Sequence, residues 1–148
     1  MGAQGQLIVR RLFEEVFNAR AYEVIADLVG DDFVEHAVAP FGVESPGAVA
    51  GVAHMRSVVE WLTAQFPDMH MSVEAVISEG DFVAARVRAL GTNLGPFNGF
   101  APPTGRAFDA EQCHWYRVVD GRLAEHWAVR DDLRTMLQLG VLTPPGPR

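Results

Sequence analysis

The chain has 148 residues, 49% of them apolar and 21% charged, and a formal net charge of −7. That length and composition suit one globular domain with a sizeable core. The acidic balance and scattered arginines argue against nucleic acid and anionic membranes as partners, no apolar run is long enough to cross a bilayer, and the complete lack of lysine excludes Schiff-base chemistry on a lysine of this chain.

The first element predicted is an amphipathic helix over residues 6–18, where Leu7, Ile8, Leu12, Phe13, Val16 and Phe17 form a wide apolar stripe. A short helix over 21–29 follows, stopped by Gly30. Asp31 to His36 reads as a brief extended piece carrying Phe33 and Val34, and 37–47 as a Pro- and Gly-rich loop. A third helix is expected over 48–65 with Val52, Met55, Val58, Val59 and Leu62 inward, and Pro67 prevents it from running on. The period then changes from 3.6 to 2. Strands are expected at 69–78, 82–92, 107–119 and 122–130, with turns at Glu79-Gly80-Asp81 and Asp120-Gly121. Residues 94–106 hold too much Gly and Pro for a regular element and read as a long connection over a pocket mouth. A last short helix covers 132–139, stopped by Gly140. One domain over 1–142 and a Pro-rich tail over 143–148 complete the organisation. The single cysteine, Cys113, cannot form an internal disulfide, and the N-terminus carries no apolar signal segment; the expected location is cytoplasmic. Helices first and antiparallel strands afterwards define an α+β fold, in which helices close one face of a curved sheet around a hydrophobic cavity.

Within the final hairpin, strict alternation puts Leu123, Glu125, Trp127, Val129 and Asp131 on one face. A carboxyl in line with Leu, Trp and Val faces an apolar space, a setting suited to general acid–base work. Asp131 and Asp132 both precede Leu133, so one of them is also placed to cap the last helix; capping is assigned to Asp132 and the cavity to Asp131. On the paired strand Gln112, His114, Tyr116 and Val118 share a face. His114 is suited either to stabilising an enolate, with Gln112 or Tyr116 beside it as substrate-binding groups, or to being packed and satisfied within the sheet. Trp127 and Phe100 are the expected pocket walls, His54 and His70 surface positions, and His126 a residue turned to solvent or a subunit contact. Arg86 and Arg88 share a face opposite Val83, Ala85, Val87 and Ala89, for use in a salt bridge at a dimer surface. The histidine and carboxylate spacings match no metal-ligand pattern, so neither metal nor cofactor is expected.

Several segments together resemble a known family. They are Asp31-Asp32-Phe33-Val34-Glu35-His36, Phe66-Pro67-Asp68, Glu79 to Arg86, Gly91-Thr92-Asn93-Leu94-Gly95, Pro103-Thr104-Gly105, His114-Trp115-Tyr116-Arg117, Asp120-Gly121-Arg122 through Trp127 to Asp131, and Gln138-Leu139-Gly140. In order and spacing the chain resembles the SnoaL-like polyketide cyclases, or ester cyclases, of the nuclear-transport-factor-2-like α+β cone (α+β barrel) superfamily. The resemblance implies ring closure of a polyketide ester or ketone by intramolecular aldol condensation, without metal or cofactor, with Asp131 as acid–base catalyst. It implies that His36 lines the pocket, unless it is a loop histidine fixing a turn, and that Asn93 tunes substrate choice where the family often has histidine. It also implies a small, hydrophobic, polyketide-like partner and a homodimer or higher homo-oligomer formed through the outer face of the sheet. A non-catalytic binder of small apolar ligands, or a hydroxylase- or hydratase-like relative, is the alternative reading of the same fold.

Overall fold

The computed structural model describes residues 2–42 and 51–147. Helix α1 (Gly2–Arg11) continues without a break to Asn18, its last turns wound wider, in π fashion, over Leu12–Asn18. The buried stripe is Ile8, Val9, Leu12, Phe13, Val16 and Phe17, while Leu7 is exposed. A 3₁₀ turn (Tyr22–Val24) leads into the single-turn helix α2 (Ile25–Leu28). Strand β1 (Val29–Glu35) starts two residues earlier than expected, because Val29 already adopts an extended backbone and Gly30 lies inside the strand. Helix α3 (Gly51–Gln65) buries Met55, Val59 and Leu62 as its periodicity predicts. The expected loop at 43–47 and helix start at 48–50 lie outside the described residues.

Four strands follow: β2 (His70–Glu79), β3 (Phe82–Thr92), β4 (Ala107–Val119) and β5 (Arg122–Arg130). Helix α4 (Asp132–Leu139) closes the fold. The sheet runs β1-β5-β4-β3-β2. Neighbours are antiparallel except for β1, which adds to β5 in parallel; the sheet is therefore mixed rather than wholly antiparallel. The β4–β5 turn has Asp120 and Gly121 both at positive φ, the tight two-residue geometry that matches strand twist. α1 with its π extension packs on β2 and β3, α3 on β1, and α4 on β4. Val83, Ala85, Val87 and Ala89 are small and buried, and α1 packs against their strand.

One irregularity decides which side chains face inward on β5. Arg117 pairs with Glu125, but Val118 pairs with Leu123, so Ala124 is an extra residue. A bulge of this kind moves every later side chain to the opposite face relative to unbroken alternation. Leu123 and His126 are both buried in consequence. From that point His126, Ala128 and Arg130 form the inner row, and Glu125, Trp127 and Val129 the outer one.

Candidate active site

Between the inner face of the sheet, α3 and α4 lies a cavity open to the surface on one side. Its apolar walls include Phe17, Met55, Leu62, Phe66, Met71 and Phe108. Polar groups converge on it from four elements: Glu35 from β1, His54 from α3, Gln112, His114 and Tyr116 from β4, and His126 and Arg130 from β5. Asp132 and Thr135 are added from α4. A mostly apolar hollow with a few convergent polar groups is the usual form of a small-molecule site. Among the described residues, no group of three or more His, Cys, Asp or Glu is arranged to hold a metal ion.

Strand register explains the polar wall. Gln112 sits opposite Arg130, His114 opposite Ala128 and Tyr116 opposite His126. Alanine at 128 leaves space beside His114, and the two imidazoles meet edge to edge. His114 Nδ1 lies 2.9 Å from His126 Nε2, with the rings within 10° of parallel and their centres 5.2 Å apart. His114 Nε2 lies 2.8 Å from Gln112 Oε1. On the other side His126 Nδ1 is 2.7 Å from Glu35 Oε1, and His54 Nε2 is 3.5 Å from Glu35 Oε2. The Ala37 amide also donates to Glu35, at 2.9 Å. Tyr116 stacks on His126 at 4.6 Å, and the edge of Phe13 meets His114 at 5.2 Å.

The electrostatics follow from burial and partners. Burial pushes the Glu35 carboxyl up, but hydrogen bonds from His126 and His54 outweigh it and hold the group down at about 2. Glu35 is therefore an anion and accepts only. Burial drives His114 well below the ordinary imidazole value, helped by His126 and Arg130. Burial and the Glu35 charge push the Tyr116 hydroxyl well above the ordinary phenol value, so it remains a donor. Arg130 is lowered by burial, with Asp132, Glu35 and Tyr116 opposing. Its Nη2 donates to the Val38 carbonyl. Its buried Nε has no hydrogen-bond acceptor among the described residues, and Asp132 Oδ1 stands 3.8 Å from it. The other oxygen of Asp132 accepts from the Phe41 amide at 3.1 Å.

The structure reverses the expected use of the two aspartates. Asp131 is exposed and is the N-cap of α4, its Oδ1 accepting from the Arg134 amide at 3.1 Å. Asp132 lines the cavity. The reason is local: β5 ends at Arg130, the chain turns at Asp131, and the bulge has already moved the 125–127–129 row outward. Trp127 is on that outer row and walls no cavity. It stacks on His36 at 4.7 Å and on Trp115 at 6.4 Å. His36 is on the outer face too, 3.0 Å from Glu125 Oε1. Phe100 is 78% exposed, and the connection at 94–106 contributes nothing to the cavity lining. It folds instead onto the end of α3, where Leu94 and Gly95 donate to the Gln65 carbonyl. Asn93 is fully buried but committed to that loop: its amide donates to Gln65 and Gly95 carbonyls and accepts from the Thr104 amide. His114, Gln112 and Tyr116 are the expected residues that do meet in the cavity.

His126, His54, Glu35, Arg130 and Asp132 were not anticipated there. Glu35 had a readable signal, because Phe33 and Glu35 share a face by alternation and Phe33 is core. His126 and Arg130 had none, since nothing in the residue types marks the bulge at Ala124. Behind the sheet, Arg86 and Arg88 pair with Glu111 and Asp109 of the neighbouring strand, and the single thiol, Cys113, is exposed on that face.

The chain is 29% identical over 134 residues to the aklanonic acid methyl ester cyclase DauD of Streptomyces sp. (strain C5), covering 90% of this chain and 80% of that protein. It is 30% identical over 125 residues to the nogalonic acid methyl ester cyclase of Streptomyces nogalater, covering 84% and 89%. Among solved structures, IdmH of Streptomyces antibioticus is similar with a TM-score of 0.78 and 34% identity, over 93% of this chain and 99% of that one. The family model for SnoaL-like polyketide cyclases matches residues 7–139. By that match, across nearly its whole length, the chain belongs to the SnoaL-like polyketide cyclase family.

Proposed function

We propose that the protein closes a carbocyclic ring in a polyketide-type ester or ketone by intramolecular aldol condensation inside the cavity. The observation that carries this reading is the presence of a carboxylate and a guanidinium N–H without a hydrogen-bond acceptor among the described residues, Asp132 and Arg130, at the wall of a mostly apolar hollow. The α-carbon between two carbonyls loses its proton to Asp132, and Arg130 Nε–H donates to the enolate oxygen. The carbanion attacks a second carbonyl of the same chain, forming the carbon–carbon bond. The resulting alkoxide recovers the proton from Asp132, so no proton is gained or lost overall. Gln112 and the Tyr116 hydroxyl supply donors for the carbonyl under attack. A 1,3-dicarbonyl α-proton is already acidic, so a carboxylate paired with arginine is base enough. Holding the chain folded contributes more than the proton transfer, up to about 7–11 kcal/mol in favourable cases.

The relatives named as methyl ester cyclases indicate the first compounds to assay, polyketide methyl esters with an activated methylene. With such a substrate Asp132→Asn is expected to lower turnover by about 10²–10⁴, while Asp131→Asn stays close to wild type. The opposite order would return the chemistry to Asp131 and defeat this reading. A wild-type protein that binds these esters and cyclises none would be a carrier instead. We further take the molecule to be a homodimer joined through the outer face of the sheet, where Ile77, Ala84, Trp115 and Trp127 form a row across four strands.

A further inference from the structure

The hydrogen-bond chain from Glu35 to Gln112 has a property that no single residue in it has. Glu35 is ionised and can only accept, so His126 Nδ1 carries a proton. The contact between His126 Nε2 and His114 Nδ1 holds one proton, belonging to one ring or the other. Each choice dictates the next link. If His126 carries both protons, His114 Nδ1 accepts, His114 Nε2–H donates to Gln112 Oε1, and the Gln112 amide N–H group is turned to the cavity. If His126 is neutral, His114 Nδ1–H donates, His114 Nε2 accepts from the Gln112 amide, and the Gln112 carbonyl is turned to the cavity. The two arrangements satisfy every link at 2.7, 2.9 and 2.8 Å and differ by one proton. A third, with the cation on His114, is opposed by burial and by Arg130.

We propose that Glu35 and His126 are positioning residues whose proton decides, through His114, whether Gln112 offers a donor or an acceptor to the substrate. The protonated arrangement donates to a developing oxyanion; the deprotonated one repels it. The inference rests on the cyclase reading for its consequence, but not for its test. The charged and titratable groups facing the chain are Glu35 from β1, His54 from α3, Tyr116 from β4, Arg130 from β5 and Asp132 from α4. Of these only Glu35 is hydrogen-bonded to His126 as an anion, so its removal is expected to dominate.

The experiment is imidazole ¹⁵N NMR of the substrate-free protein across pH, with turnover measured alongside. In wild type, His114 is expected to change from the Nε2–H to the Nδ1–H tautomer in a single step as pH rises, together with loss of one His126 proton. In Glu35→Gln the step is expected at about tenfold higher proton concentration or more. The alkaline limb of kcat should move with it, and Gln112→Met should abolish that limb while leaving the histidine step in place. One unchanging His114 tautomer across the folded pH range overturns the proposal from wild-type spectra alone, whether or not the variants fold. So does a step that ignores Glu35→Gln. A histidine step as described in a protein that cyclises nothing would fail the cyclase reading and leave the relay standing.

Discussion

Glu35 holds a half-buried charge at the cavity wall, and that charge bears on the stability of the fold. Its carboxyl titrates at about 2 in the folded protein, against an ordinary value of 4.5. The unfolded chain therefore takes up a proton at a pH where the folded one does not. The stabilisation is present in full above about pH 4.5 and is lost as pH falls towards 2, and it is on the order of 3 kcal/mol. Glu35→Gln is expected to be less stable than wild type by that order near neutrality, with the gap closing on acidification; urea titrations at a series of pH values measure it. A gap that stays constant through pH 3 would show that the hydrogen bonds from His126 and His54 do not hold the Glu35 carboxyl down. At this scale the sequence was only half legible. Composition and spacing placed His114, Gln112 and Tyr116 together, because β4 is regular along its inner face. They misplaced Asp131 by one residue, because the strand end and the helix cap compete for the same two aspartates and only the backbone turn separates them.

Elements were easier to read than their faces. The alternation that marks β3, the apolar stripe of α1 and the Asp120-Gly121 turn are local signals, and local signals survive into the fold. The bulge at Ala124 is not local. It shows only in the register of β5 against β4, and it reassigned Trp127, His126 and Arg130 at once. The parallel pairing of β1 was equally hidden, since a short extended piece 90 residues upstream carries no address. The connection after β3 shows the same dependence on partners. Its glycine at 95 is demanded by α3: a Cβ there would stand 1.8 Å from the Ala64 carbonyl oxygen. Gly95→Ala is expected to cost about 2–4 kcal/mol in chemical denaturation. Because the loop contributes nothing to the cavity wall, kcat of the surviving folded fraction should hardly change.

For the molecule as a whole, two surfaces with different chemistry lie on either side of one sheet. The inner surface closes over a cavity. The outer one carries a row of rings and aliphatic chains that remain in water, with Ile77 70% and Val129 66% exposed. Apolar area of that kind favours association between copies. Ile77→Arg together with Val129→Arg is expected to convert the proposed dimer to monomers in sedimentation velocity while leaving the cavity and its turnover intact; a wild-type dimer that these changes leave unaltered would place the contact elsewhere. The acidic net charge of −7 works against close approach of two copies, so association should tighten as salt screens it.

Cys113 lies across from Val129 on that outer row, and it is the sole sulfhydryl of a chain that also lacks amines on its side chains. A maleimide can therefore attach at one position only, on the side away from the ligand. If copies join through this face as proposed, the rate of attachment becomes a census of how many molecules stand alone: fast in dilute solution, and slower with every increase in concentration that brings two backs together.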